Sequence, residues 1–340
     1  MEYRPFGRTG LQVSAIGFGC WEMGGDYGSI DETEATKAVH RAIDLGINCF
    51  DTAEAYGMGK SEEALAKALG HRRKDVIIVT KFGVGYENDR QKGKDSSREM
   101  VLAAIDRSLK ALNTDYVDVY LVHWPDRSTP FEETMGAFDE IVQQGKVRYV
   151  GLSNFTLDEI KACMAIQPIH VLQYGCNLFD RRMAKWIFPY AQEQQIGVMS
   201  YGSLAYGLLS GTFTKETTFG DKDWRSRDEW LHLLRFFTPE VFERNVEVAI
   251  AISDIAERLG KKLPQFALNW VLSHQAVSTA LVGARRPLEV EENMGAIGWS
   301  LSDEVIAEID KIFADHDVDP APNTWVEEIE THDSDASDAN

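Results

Sequence analysis

Cysteine is scarce in this sequence: its 340 residues contain four, Cys20, Cys49, Cys163 and Cys176, with no C-x-x-C pair among them. That scatter argues against a disulfide framework or a zinc site and predicts reduced thiols packed as small hydrophobes. Long apolar runs are also lacking. The longest, such as Val76 to Val79, Val117 to Val122 and Ala276 to Val282, fall far short of the ~20 residues that cross a bilayer. Positive charge is in deficit, with 35 Lys and Arg against 54 Asp and Glu and a net charge of −19. Phosphate backbones and anionic lipid would be repelled, so neither nucleic acid nor membrane is expected as a partner. The opening Met1-Glu2-Tyr3-Arg4-Pro5-Phe6 lacks the basic segment and apolar core of a secretory leader, and a cytoplasmic location is the expectation. The chain has no P-loop, no H-E-x-x-H and no H-x-H at a strand end, so no metal is expected. Gly17-Phe18-Gly19-Cys20-Trp21-Glu22 fails the open-sheet dinucleotide fingerprint at its final glycine.

What is present is a rhythm. From residue 34 onward, helical-period segments alternate with short β-branched runs, each pair ending at a polar or glycine turn. This predicts parallel βα units. Candidate strands are 15–18, 47–51, 76–80, 117–122, 147–152, 171–174, 197–201 and 279–282. Candidate helices lie near 32–45, 60–69, 97–112, 131–144, 156–164, 183–195, 264–273 and 287–297. Eight strands each followed by a helix, with no Pro/Ser-rich linker, predict a (β/α)8 TIM barrel as one domain over residues 1–318. Residues 3–6 and 10–13 read as a hairpin plugging the barrel floor. Residues 213–240 and an extra helix near 239–259 interrupt the alternation at the C-terminal face, where long loops carry function. Residues 319–340 read as an acidic, disordered tail.

In such a barrel the chemistry sits where strands end. Those positions hold Trp21, then Asp51 and Tyr56, Lys81, His123 and Trp124, Ser153 and Asn154, Gln173, Tyr201 with Ser203 and Leu204, and Gly283 with Arg285 and Arg286. Singly, Asp51 and Lys81 read as a structural ion pair, His123 as a hydrogen-bonded rim histidine and Tyr56 as a loop tyrosine. Together they can deliver a proton to a carbonyl oxygen. A tyrosine near its reference pKa of ~10 is a weak acid, and an adjacent ammonium favours its phenolate. Asp51 would hold Lys81 charged, and a neutral His123 would orient the substrate oxygen or help relay the proton.

Several motifs here resemble those of the aldo-keto reductases, over residues 3 to about 313. They are Tyr3-Arg-Pro-Phe-Gly-Arg-Thr-Gly through Gly19, Phe50-Asp-Thr-Ala-Glu-Ala-Tyr-Gly57, Val79-Thr-Lys-Phe-Gly83 and Leu121-Val-His-Trp-Pro-Asp126. The resemblance implies Tyr56 as general acid/base, Lys81 and Asp51 as its tuning pair, and His123 as the group that positions the carbonyl. It implies that Ser153, Asn154 and Gln173 grip a nicotinamide carboxamide while Tyr201 stacks on the ring. Ser203 to Gly211, including Leu204 and Gly207, is similar to a pyrophosphate loop over which Arg225 would close. Gly283 to Asn293 is similar to an adenosine site, with Arg285, Glu289, Glu292 and Asn293 facing the nucleotide. A helix starting near Pro287 would offer its amides to an anion.

Two positions depart from the family pattern. Thr212 stands where relatives carry a lysine, and Glu289 where many carry Arg or Gln. A carboxylate there repels a 2′-phosphate and accepts from a free 2′-hydroxyl, whereas Arg285 and Arg286 could form a phosphate fork. The resemblance implies NADP(H), with NAD(H) the alternative. Trp21, Phe82, Trp124 and Trp224 or Trp230 are expected to wall the substrate pocket. The expected function is hydride transfer between nicotinamide and an aldehyde, ketone or sugar. Two alternatives are a redox-sensing regulatory subunit similar to channel β subunits, and a cofactor-assisted isomerase or dehydratase.

Overall fold

The computed structural model describes residues 1–25, 27–28, 30–87, 90–220, 223–226 and 236–321. The expectation of an acidic tail thus lies, beyond residue 321, outside the described residues, as does Trp230. In chain order the strands are β1 Tyr3–Pro5, β2 Gln12–Ser14, β3 Ile16–Gly19, β4 Cys49–Asp51, β5 Ile77–Phe82, β6 Val84–Glu87, β7 Arg90–Lys94, β8 Val117–Val122, β9 Val147–Ser153, β10 Val171–Gly175, β11 Gly197–Tyr201 and β12 Val277–Gly283. The helices are α1 Glu32–Asp44, α2 Lys60–Leu69, α3 Arg98–Ala111, α4 Phe131–Gln143, α5 Leu157–Ile166, α6 Arg182–Trp186, α7 Phe188–Glu193, α8 Pro239–Arg258, α9 Leu263–Leu272, α10 Pro287–Asn293 and α11 Asp303–Asp315.

Strands β3, β4, β5, β8, β9, β10, β11 and β12 close in that order into a parallel barrel, with β12 pairing back onto β3. Every strand expected from the sequence is there, within about two residues. Helix starts follow from capping: Asp31 accepts from the amides of Thr33 and Glu34 at 2.8 and 3.2 Å, and Thr156 with Glu159 forms a capping box on α5. All four cysteines are buried free thiols. No helix among the described residues is long and apolar enough to cross a membrane, and no group of His, Cys, Asp or Glu among them could hold a metal ion.

Alternation along the strands separates two cores. Ile78 and Phe82 of β5 face the helical layer, while Ile77 and Val79 join Cys49, Val119, Leu121, Val171, Met199 and Leu281 inside the barrel. The hairpin β1/β2 closes the floor of that inner core with Phe6 and Val13, both fully buried. Arg4 fixes it by donating to the carbonyls of Leu272 and Val277 at 2.9 and 3.0 Å. Two elements were not read from the sequence, the β6/β7 hairpin and α11.

Gly151 shows how little room the inner layer leaves. A Cβ there would stand 2.2 Å from the Val171 carbonyl oxygen of the neighbouring strand, and backbone of a closed sheet cannot yield. Gly151→Ala is expected to destabilise the fold by about 3 kcal/mol, read as a lower urea midpoint with unchanged slope.

Candidate active site

Six of the eight inward-facing rows of the barrel are apolar at the floor and polar toward the C-terminal end. Asp51, Lys81, Ser153 and Tyr201 occupy the last inward positions of β4, β5, β9 and β11, Gln173 is the last inward side chain of β10 before Gly175, and His123 continues the row of β8. Period-2 alternation over parallel strands in register therefore gathers six polar side chains at one mouth.

Lys81 is at the centre, fully buried. Its ammonium donates to Asp51 Oδ2 at 2.8 Å, the Thr52 carbonyl at 2.9 Å and Tyr56 Oη at 3.0 Å, which satisfies all three protons. Asp51 Oδ1 accepts from Gln173 Nε2 at 2.6 Å. Burial pushes the Lys81 ammonium down and the Asp51 carboxyl up, and their mutual attraction opposes both shifts. Tyr56 stands on the turn between β4 and α2, held by close backbone contact. Gly57 has φ +63°, and a Cβ on it would lie 2.3 Å from the Gly24 carbonyl oxygen. Only a glycine lets this turn press against the 3-10 turn Trp21–Gly24 and fix the phenol above Lys81.

His123 meets Tyr56 edge to face, with ring centroids 5.7 Å apart. Burial first, then the Lys81 charge, hold its imidazole well below the usual range, so the ring is neutral at neutral pH. Its Nδ1 is buried and has no hydrogen-bond partner among the described residues. Its carbonyl accepts from Asn154 Nδ2 at 2.9 Å.

The residues expected to hold a nicotinamide form a chain of hydrogen bonds beside this cluster. Tyr201 donates to Asn154 Oδ1 at 2.7 Å, Asn154 to Ser153 Oγ at 3.0 Å, and Ser153 to the Gln173 carbonyl at 2.9 Å. Gln173 thus joins both groups, its amide hydrogen bonded to Asp51 and its backbone to Ser153. After β11, Ser203 and Leu204 lead into a kinked 3-10 turn, Ala205–Ser210, with Gly207 at φ +104°. Arg225 donates to the Tyr206 carbonyl at 2.8 Å and to both Asp223 oxygens at 2.9 and 2.6 Å. After the adjacent strand β12, Glu289 accepts from the Arg285 amide at 2.8 Å and from Arg286 Nε at 2.9 Å. The expected phosphate fork is therefore half engaged by Glu289. Glu292 is paired with Lys262 at 2.5 Å, and Asn293 is buried.

The aromatic wall differs from expectation. Trp21 stacks on Tyr56 and Trp224, with centroids 5.9 and 5.6 Å apart, and Trp124 lies under Lys94 Nζ at 5.4 Å. Phe82 does not belong to it: the ring stacks on Tyr120 at 4.9 Å and meets Phe138 at 5.9 Å in the outer core. It follows Lys81 on a strand, so if one faces the mouth the other faces the helices. Tyr27 and Tyr206 were missed. They meet Trp224 edge to face at 6.0 and 5.4 Å, from irregular segments that carry no periodicity to mark them.

The barrel mouth joins Asp51, Tyr56 and Lys81 in one hydrogen-bonded group with the His123 ring against the phenol, an arrangement suited to proton transfer. Residues 15–314 match the model of the Aldo/keto reductase family. The aldo-keto reductase YhdN of Bacillus subtilis (strain 168) is 36% identical over 324 residues, covering 94% of this chain and 96% of that one. The L-glyceraldehyde 3-phosphate reductase of Escherichia coli O157:H7 is 32% identical over 340 residues, covering 96% and 95%. Among solved structures, the glycerol dehydrogenase AKR11B4 from Gluconobacter oxydans superposes with a TM-score of 0.84 at 33% identity, covering 95% and 98%. The chain belongs to the aldo/keto reductase family and is an oxidoreductase.

Removing one partner of a buried pair leaves the other charge uncompensated. Asp51→Asn is expected to lower stability by about 3 kcal/mol, and the double change Asp51→Asn/Lys81→Met to recover most of that loss without recovering activity. Calorimetric unfolding of both variants checks this.

Proposed function

We propose that the protein transfers a hydride between NADP(H) or NAD(H) and the carbonyl or alcohol carbon of a small aldehyde, ketone or sugar, with Tyr56 as general acid/base. The observation that carries the reading is the buried Lys81, with its three protons on Asp51, the Thr52 carbonyl and the Tyr56 phenol.

In the reducing direction Tyr56 gives its proton to the substrate oxygen. The ammonium 3.0 Å away stabilises the phenolate that remains, and Asp51 keeps that ammonium charged. His123, neutral through burial, orients the substrate oxygen without adding a second positive charge to the mouth. In the oxidising direction Tyr56 takes the proton back. The dinucleotide supplies the hydride or accepts it.

The residues present fit such a cofactor. Gly207 lacks a side chain where a Cβ would come within 2.8 Å of Arg225 Nη1 and 2.9 Å of the Phe213 ring, so the turn that resembles a pyrophosphate loop packs directly against a guanidinium. Ser153, Asn154 and Gln173 carry amide and hydroxyl groups at the C-terminal ends of β9 and β10, and Tyr201 hydrogen bonds to them from β11. The solved relative from G. oxydans is named for glycerol and the relative from E. coli for a phosphorylated three-carbon aldehyde. Together with the Trp21, Trp224, Tyr27 and Tyr206 wall, those names support a short hydroxylated carbonyl compound as substrate here.

A specific observation bears on the cofactor. Glu289 holds Arg286 and the Arg285 amide, so a 2′-phosphate must displace a carboxylate from the guanidinium it needs. That favours NAD(H) over the family expectation.

Titration with NADPH and NADH, followed by tryptophan quenching, tests the cofactor without a known substrate. NADH is expected to bind at least as tightly as NADPH, and Glu289→Gln to tighten NADPH about fivefold with NADH unchanged; binding of neither overturns the reading. Tyr56→Phe should lower kcat roughly thousandfold while leaving the cofactor Kd within about threefold. Loss of both in a folded variant would remove Tyr56 from the role.

A further inference from the structure

Glu22 lies in the 3-10 turn Trp21–Gly24, beside the residue that stacks on Tyr56. Its carboxylate rests on Gly283 at the end of β12, where a Cβ would come within 2.0 Å of Oε1 and 2.2 Å of Oε2. Arg285 and Glu289 act on it from the α10 side and Arg225 from the loop after β11. Asp223 holds Arg225. On its own segment the neighbours are Cys20 and Tyr27, both of which feel its charge. From the α2 side, Tyr56 and Gly57 meet the backbone of Gly24, and Ser61 donates to the Cys20 carbonyl at 2.7 Å. The carboxylate therefore stands in the gap between the stretch 203–211 with Arg225 and the stretch 283–293, the two halves of the dinucleotide groove in the reading above.

A carboxylate is a misfit in a groove for an anion. Burial already pushes Glu22 up to about 7, with Arg285 and Arg225 pulling the other way. Phosphate oxygens arriving between the same two arginines change both influences in one direction. They take over the guanidinium charge that favoured the carboxylate, and they add negative charge beside it. The group then holds its proton more tightly in the complex than in the free protein, and as a neutral carboxylic acid it can donate to a phosphate oxygen.

We propose that Glu22 is a proton-linked gate on the dinucleotide groove: the cofactor phosphates bind with Glu22 protonated, and each cofactor bound draws one proton from solvent onto this carboxyl. The inference rests on the reading of the groove as the dinucleotide site. The sign follows from linkage. A group whose pKa is higher in the complex than in the free state favours binding at low pH, so affinity is full below about pH 7 and falls as pH rises past it.

The experiment is calorimetric titration of the full chain with NADH and with NADPH from pH 6.5 to 9, at each pH in two buffers of different ionisation enthalpy. Wild-type Kd is expected to weaken about tenfold between pH 7 and pH 8.5, with proton uptake approaching one per cofactor. Glu22→Gln should bind with a nearly flat pH profile, more tightly than wild type at pH 8.5, and without that uptake. The variant comparison subtracts any titration of the cofactor itself. A flat wild-type profile, or the same uptake in Glu22→Gln, overturns the gate while leaving the dinucleotide site intact. Failure of either cofactor to bind at any pH overturns the groove reading and the gate with it.

Discussion

A lysine ammonium with no access to water must find three acceptors, and in this barrel the site is built around that demand. Lys81 draws Asp51 from the neighbouring strand, the Thr52 carbonyl from the turn beyond it, and the phenol of Tyr56 from the far end of the same turn. An unmet donor at this depth would cost about 1–3 kcal/mol, more for a charge. The geometry is therefore imposed by solvation before it serves any chemistry. Gln173 extends it across the barrel, because the second Asp51 oxygen needs a donor as much as Lys81 needs acceptors.

Around this centre, backbone shape decides which side chains can approach. The turn carrying Tyr56 packs on the turn carrying Trp21 and Glu22 only because Gly24 and Gly57 meet there without side chains. Gly207 and Gly283 likewise leave bare backbone under Arg225 and Glu22. The charged groups at the mouth thus come in opposed arrangements: Arg225 held by Asp223, Arg286 by Glu289, and Glu22 between Arg225 and Arg285. A mouth so nearly neutralised, in a chain with a net charge of −19, admits an anion only by rearranging local pairs.

Much of this was legible in the sequence, and the exceptions have physical causes. The eight barrel strands announced themselves as β-branched runs between turns, and Asp51, Lys81 and His123 could be placed at the mouth because they close such runs. Phe82 was misassigned because proximity in the Val79-Thr-Lys-Phe motif stood in for the alternation that separates it from Lys81. Helix α11 did carry a signal, a Ser302 cap followed by Ile306, Ile309 and Phe313, but it lies past the last βα unit where the barrel rhythm has ended. The β6/β7 hairpin is charged and lacks alternation. Glu22, Tyr27 and Tyr206 depend on where irregular segments cross, and no periodicity in one segment reports on its neighbour in space.

The stacked indoles of Trp21 and Trp224, 5.6 Å apart and inclined by 24°, give the mouth a property of a different kind. Two such chromophores share their excited states, so their near-ultraviolet circular dichroism is that of a coupled pair rather than of two separate tryptophans. The sign and size of that couplet depend on the angle between the rings. Trp21 also stacks on Tyr56, so a compound that displaces Trp21 changes that angle and the spectrum with it. The protein thus carries an optical gauge of its own entrance, readable without label or turnover.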